Sequence, residues 1–126
     1  ASYLDMDYHV LTSIPENLDL VEFETRTLGN RGLIEQIPSR YKTHYFNHTW
    51  GGGYTAGYYS YIWSEVLDAD AYQAFVETGD IFNKEVASKF RYEVLARAGE
   101  DEAMTLYVNF RGQEPGIQAL LNNRGL

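Results

Sequence analysis

The chain has 126 residues, the size of one domain, and its 44% hydrophobic content is enough to form a folded core. Its net charge is −8, from 10 Lys and Arg against 18 Asp and Glu, and the basic residues are scattered, so we expect no nucleic-acid partner. There are no cysteines, which excludes a disulfide framework and a thiolate metal site. No apolar run approaches the ~18 residues that span a membrane, so no membrane partner is predicted.

The first predicted helix covers residues 1 to about 13. Leu4, Tyr8 and Leu11 have the i, i+4, i+7 spacing of one helical face. Pro15 ends the helix, because the residue before a proline disfavours the α conformation.

A second helix is predicted to start near Asp19, whose carboxylate can accept from the free amides of the first turn. Glu22 occupies the capping-box position, and Gly29 and Gly32 mark the other end. Residues 31–45 show no clear periodicity, so we expect mostly loop.

Three consecutive glycines precede the longest predicted helix. Gly51, Gly52 and Gly53 place little constraint on the backbone, which indicates either a flexible joint or a loop of close approach. The helix that follows is predicted from about Tyr54 to Thr78, a length of about 36 Å.

This helix carries two aromatic faces. Tyr54, Tyr58 and Tyr61 share one face at i, i+4 and i+7. Phenol hydroxyls can donate to an oxygen that gains negative charge, although half-buried aromatics are also ordinary packing residues. The second face has the spacing of a buried stripe and consists of Tyr59, Ile62, Trp63 and Val66.

Three more helices are predicted in the last third of the chain. The first is capped by Asn83 and ends at Gly99. The second follows the acidic residues 100–102 and stops at Gly112, and a short third helix ends at Gly125. With no convincing strand pair, the sequence predicts an all-α fold of one domain, residues 1–126.

His44 and His48 are four residues apart, the spacing at which two imidazoles on one helix can share a zinc ion. A zinc-peptidase helix would carry a glutamate after the first histidine, and Tyr45 occupies that position here. His9 is the only other histidine, so no metal ligand is predicted in this chain.

Four blocks of the sequence are similar to one enzyme family. The blocks are GGGYTAGYYSYIWSEVLDADA, FRYEVLARAGEDEAMTLYVNFRGQEP, the final ALLNNRGL and the initial YLDMDYHVL. Together they resemble the C-terminal region of the thimet oligopeptidase and peptidyl-dipeptidase family of zinc metallopeptidases, and HTWGGGY resembles the bacterial peptidyl-dipeptidase branch. The resemblance implies a compact helical bundle that is the C-terminal subdomain of a larger two-lobed enzyme, in which an upstream segment holds the zinc.

The resemblance also implies roles for individual residues. Tyr61 and Tyr58 would donate hydrogen bonds to the carbonyl oxygen of the peptide bond under attack. Tyr54 and His48 would contact substrate from the loop. The glycines at positions 51–53 would let that loop close on peptides of different length.

The implied substrates are short peptides, from which the enzyme would release C-terminal dipeptides. The implied partners of this chain are those peptides and the N-terminal and zinc-binding parts of the same protein, without which no activity is expected. The cytoplasm is the expected location, and a periplasmic one is also compatible with the sequence. The residues alone leave two alternatives open: a peptide-binding module without catalysis, and a purely structural helical domain.

Overall fold

The computed structural model describes residues 1–126, and every regular element is helical, which confirms the predicted all-α fold. The chain divides into two compact units, residues 1–61 and 62–126. The single subdomain over 1–126 stays a prediction. No helix is both long and apolar enough to cross a membrane. The helices are α1 (Ser2–His9), α2 (Leu20–Gly29), α3 (Asn47–Trp50), α4 (Ser60–Val76), α5 (Lys84–Phe90), α6 (Ala103–Arg111) and α7 (Gln118–Asn123), with a 3₁₀ turn at Thr43–Tyr45 and a π-helical turn at Arg91–Leu95.

Helix α1 ends at His9, about four residues earlier than predicted. Leu4 is completely buried and Tyr8 packs on the core of the first unit. Leu11, the third member of the predicted stripe, lies beyond the helix end and is exposed. The spacing of Leu4, Tyr8 and Leu11 predicted too long a helix, because Leu11 does not pack on the core.

Helix α2 begins as predicted. The Asp19 carboxylate accepts hydrogen bonds from the amides of Val21 and Glu22, at 2.9 and 3.0 Å. The helix buries Phe23 and Leu28, which form the core of the first unit with residues of α1 and the segment before α3. The ring of Tyr8 stacks on that of Phe23 with 4.4 Å between centroids.

Helix α4 begins at Ser60 rather than at Tyr54, so the predicted start is wrong. Its 17 residues give a length of about 26 Å. Tyr54 is irregular and residues 55–59 form turns. Ala56 has a φ of 52°, in the left-handed region, which a continuous helix does not allow.

The predicted buried stripe on α4 is also largely wrong. Val66 is buried, but Tyr59, Ile62 and Trp63 are 52%, 47% and 45% exposed. Helical spacing identifies side chains that share a face, and it does not show whether any part of the structure covers that face.

In the second unit the predicted caps at Asn83 and Gly112 agree with the structure, whereas the helix end predicted at Gly99 is wrong. Asn83 accepts from the amides of Glu85 and Val86, and so caps α5. The predicted single helix up to Gly99 is instead divided into α5 and the π-helical turn. Gly112 ends α6 in the left-handed conformation, at φ 84°.

A buried carboxylate joins α4 to α6 within the second unit. The Tyr107 hydroxyl donates to Asp70 Oδ2 at 2.6 Å, and Arg111 Nε donates to the same oxygen at 3.2 Å. Arg111 also forms a two-pronged pair with Glu77, at 2.7 and 2.8 Å. Burial, together with the hydrogen bond to Asp70, raises the pKa of Tyr107.

Candidate substrate-binding site

Four tyrosine rings surround the imidazole of His48 in the first unit. The centroid of the His48 ring lies 5.5 Å from Tyr41, 5.6 Å from Tyr54, 5.5 Å from Tyr58 and 6.1 Å from Tyr61. Tyr54 stacks on Tyr61 at 5.2 Å with 18° between the planes. We call these five rings the phenol cluster. The structure therefore brings together the four aromatic site residues expected from the resemblance, and adds Tyr41, which sequence reasoning missed.

The phenol cluster does not arise from one helical face. Tyr61 belongs to α4, whereas Tyr54 and Tyr58 lie in the turns before it. His48 comes from α3, a single helical turn that the sequence analysis assigned to no helix. The i, i+4, i+7 spacing thus grouped three phenols that do lie close together, although they do not share a helical face.

The three glycines form a loop of close approach over α3. A Cβ at Gly52 would lie 2.9 Å from the Cα of His48, and one at Gly51 would lie 3.0 Å from the Asn47 side-chain oxygen. Gly53 has a φ of +80°, which side-chain-bearing residues rarely adopt. The Tyr54 amide then donates to the His48 carbonyl at 2.9 Å, which closes the loop.

A completely buried carboxylate holds the turns after this loop. Asp5 Oδ1 accepts from the Ala56 amide at 3.0 Å and from the Thr49 hydroxyl at 3.2 Å, and Oδ2 accepts from the Tyr58 amide at 3.0 Å. The His9 ring nitrogen lies 3.1 Å from Oδ1. We call this group the Asp5 cluster. A helix from Tyr54 would pair the Tyr58 amide with the Tyr54 carbonyl, and this amide is bound by Asp5 instead, which agrees with the late start of α4.

Sequence reasoning missed Asp5. Its one signal is position, since it lies three residues before Tyr8 and therefore on the packed side of α1. A carboxylate in that position needs buried donors, and the sequence does not reveal that these donors come from residues about fifty positions away.

A second buried carboxylate fixes the segment before α3. Glu24 Oε1 accepts from both the amide and the hydroxyl of Thr43, and Lys42 Nζ lies 3.4 Å from Oε2. Tyr8 is hydrogen-bonded to the same Thr43 hydroxyl at 2.6 Å. Burial acts to raise the pKa of Glu24, but the hydrogen bonds from Thr43 and the charge of Lys42 prevail and hold it below its ordinary value.

Two phenols of the cluster, Tyr58 and Tyr61, have a raised pKa. Interaction with the Tyr54 phenol, together with burial, raises the pKa of Tyr61 to about 12. Burial and the neighbouring Tyr41 raise the pKa of Tyr58. Both hydroxyls therefore carry a proton near pH 7 and can donate a hydrogen bond to a ligand. Tyr61 is 44% exposed, so its side chain is accessible.

The two histidines considered as a metal pair contact different aromatic rings. His48 lies in the phenol cluster, whereas the His44 ring packs edge-on against Tyr45 at 4.9 Å. No group of three His, Cys, Asp or Glu side chains is placed to hold a metal ion. The side chains of this chain therefore do not fit a zinc site of their own.

The fold and the site together define an all-α chain in which a glycine loop and a buried carboxylate present a cluster of protonated phenols. Residues 1–126 match the sequence profile of peptidase family M3, so the chain belongs to that family. The family resemblance expected from the sequence blocks is thereby confirmed.

Several curated relatives are similar to the chain. The dipeptidyl carboxypeptidase of Salmonella typhimurium is 42% identical over 127 aligned positions, which cover 100% of this chain and 18% of that protein. The oligopeptidase A of Haemophilus influenzae is 52% identical over 83 positions, 66% of this chain and 12% of that protein. The organellar oligopeptidase A of Arabidopsis thaliana is 48% identical over 98% of this chain and 16% of that protein. The chain thus spans less than one fifth of the length of these relatives.

Proposed function

We propose that this chain supplies the peptide-binding and transition-state-stabilising wall of a zinc peptidase. The observation that carries the proposal is the phenol cluster, which gathers protonated hydroxyls around His48 in a chain of a peptidase family. An attacked peptide carbonyl gains negative charge on oxygen, and pre-positioned donors stabilise that charge without having to reorganise.

In this proposal Tyr61 and Tyr58 donate to that carbonyl oxygen. The geometry supports the role, because the two rings lie 4.9 Å apart beside His48 and a phenol carries its proton at neutral pH. Tyr54 and His48 contact the peptide from the loop. The glycines at positions 51–53 allow the loop to adjust to peptides of different length.

Zinc would supply Lewis-acid chemistry in the intact enzyme. Because the side chains here do not form a metal site, its ligands would belong to a part of the protein that this chain does not contain. The chain by itself is therefore proposed to be inactive.

The proposed substrates are short peptides, from which the intact enzyme releases C-terminal dipeptides. Two relatives named dipeptidyl carboxypeptidase match the whole chain, and this supports the narrower activity. Relatives named oligopeptidase A match as well, so the shared property is hydrolysis of peptides. The cytoplasmic location stays a prediction.

The test is Tyr61→Phe in the intact protein, which removes one donor and keeps the ring. We expect kcat for a short peptide to fall about a hundredfold or more, with little change in the free energy of unfolding. Tyr59→Phe is the matched control, because Tyr59 is exposed and outside the phenol cluster. An unchanged kcat in Tyr61→Phe would overturn the role. Peptide binding by the isolated chain, with no hydrolysis by the intact protein, would favour the peptide-binding module instead.

A further inference from the structure

One cation borders the phenol cluster. The guanidinium carbon of Arg40 lies 5.4 Å from the ring centroid of Tyr41. The Tyr41 ring in turn lies 5.8 Å from that of Tyr58 and 5.5 Å from that of His48. A guanidinium over an aromatic face is held by cation–π attraction, which keeps this charge at the edge of the cluster.

Arg40 differs from the other arginines of the first unit because it has no carboxylate partner. Arg26 lies 3.9 Å from Glu22, and Arg31 lies 3.0 Å from Asp7. None of the ion pairs in the chain includes Arg40, and its side chain is exposed. In a chain of net charge −8, an exposed arginine without a carboxylate within 4 Å is available to an external anion.

The next cation along the sequence is already occupied. Lys42 Nζ lies 3.4 Å from the buried Glu24 carboxylate. The neighbouring phenols bring no competing charge at neutral pH: burial and Tyr41 raise the pKa of Tyr58, and Arg40 only partly opposes them. Arg40 is therefore the cation beside these hydroxyls that has no carboxylate partner.

A guanidinium has a planar set of N–H donors that matches a carboxylate in two-pronged geometry. A peptide bound at the phenol cluster has one carboxylate at a fixed place in every sequence, at its C-terminus. Resting on the proposed function, we propose that Arg40 binds the free C-terminal carboxylate of the peptide substrate and so determines where the peptide is cut.

The dimensions of the phenol cluster agree with this role. The ring of Tyr58 lies 5.8 Å from that of Tyr41, beside Arg40, and 4.9 Å from that of Tyr61. An extended peptide advances by about 3.3–3.6 Å per residue. A carboxylate held beside Tyr41 thus lies within a few residues of a carbonyl held by Tyr61, which suits removal of a short C-terminal piece.

The experiment compares two peptides of one sequence, ending either in a free carboxylate or in an amide. Each is given to the intact wild-type protein and to its Arg40→Gln, Arg40→Lys and Arg91→Gln variants. Arg91 is the matched control, because its guanidinium also lies over a tyrosine, Tyr92 at 6.0 Å, and has no carboxylate partner.

We expect the wild-type protein to prefer the free acid about tenfold to hundredfold in kcat/KM, the range of hydrogen bonds to a charged group. Arg40→Gln should lose most of this preference, because the variant should cleave the peptide with the free carboxylate more slowly and the amidated peptide at the wild-type rate. Arg40→Lys should keep part of it, because it retains the charge but not the planar set of donors. Arg91→Gln should behave as the wild type.

The outcomes separate this inference from the proposed function. Cleavage of both peptides at equal rates by the wild type, or an unchanged preference in Arg40→Gln, overturns the role of Arg40 while peptide hydrolysis stands. A wild-type protein that cleaves neither peptide overturns the proposed function and this inference with it. Cleavage of the amide peptide by Arg40→Gln at the wild-type rate shows that the variant is folded.

Discussion

Each unit of the chain contains one buried aspartate, and the two are used in different ways. Asp5 in the first unit accepts from the backbone amides of Ala56 and Tyr58, in turns whose own backbone hydrogen bonds span three residues, as from Gly57 to Tyr54. Asp70 in the second unit accepts from the side chains of Tyr107 and Arg111. The first carboxylate shapes an irregular segment, whereas the second joins regular helices that hydrogen-bond internally.

The two carboxylates also differ in how many oxygens they use. Asp5 accepts through both oxygens, with Ala56 and Thr49 on Oδ1 and Tyr58 on Oδ2. Asp70 accepts its two hydrogen bonds through Oδ2 alone. An amide has only one oxygen, so an asparagine can replace the second carboxylate more easily than the first.

Substituting asparagine at each of the two sites tests this difference. Of the predictions made here, we expect it to give the largest effect on stability. Asp5→Asn places an NH₂ group against a buried backbone N–H, and we expect local stability to fall by about 3 kcal/mol. Asp70→Asn keeps one oxygen for Tyr107, and Arg111 keeps its pair with Glu77, so a loss of about 1 kcal/mol is expected. Hydrogen exchange, read separately for peptides of each unit, measures both losses.

Activity provides a second measurement of the same pair of variants. In the intact protein Asp5→Asn should lower kcat, because the turns that carry Tyr58 lose one of the two carboxylate oxygens that accept from their amides. Asp70→Asn should leave the activity of the folded protein unchanged. Equal losses of stability and activity for the two variants would contradict the distinction between a loop-shaping and a helix-joining carboxylate.

The next effect compares two glycines with the same conformation. Gly53 and Gly79 have φ values of +80° and +76°, and an added Cβ would meet no atom within 4 Å at either position. Replacement by alanine should therefore cost each unit about 1–2 kcal/mol of backbone strain. Only Gly53→Ala should change KM or kcat of the intact protein, because only Gly53 lies in the loop that joins two members of the phenol cluster, His48 and Tyr54. A similar kinetic change in Gly79→Ala would show that the loop has no special role.

The smallest expected effect is the pH dependence of the stability that Glu24 contributes. The pKa of Glu24 is lower in the folded chain than its ordinary value of 4.5, so its ionised form stabilises the fold above that pH. This contribution is lost as the pH falls through the folded-state pKa. The difference in unfolding free energy between the wild type and Glu24→Gln should therefore narrow from pH 7 to pH 3. Glu22→Gln, an exposed carboxylate of the same helix, is the control, and an equal narrowing there would refute the assignment to Glu24.

Local chemistry explains which elements could be predicted. Asp19 and Asn83 cap the helices that follow them, and Gly112 ends α6, because capping and left-handed termination depend on neighbouring residues. The boundary at Tyr54 could not be predicted in this way. The Tyr58 amide, which a helix from Tyr54 would pair with the Tyr54 carbonyl, is bound by Asp5, about fifty residues away.

Residue patterns were sufficient to predict the all-α fold, the caps of α2, α5 and α6, the family and three of the four phenols in the candidate site. These properties depend on residue spacing, on capping and on blocks of contiguous sequence. The arrangement of these phenols around His48 depends on the folded chain, as do the positions of Asp5 and Glu24 beside the neighbouring segments and that of Arg40 without a carboxylate partner. The physical reason is that buried carboxylates take donors from residues distant in sequence, and no local pattern encodes which donors these are.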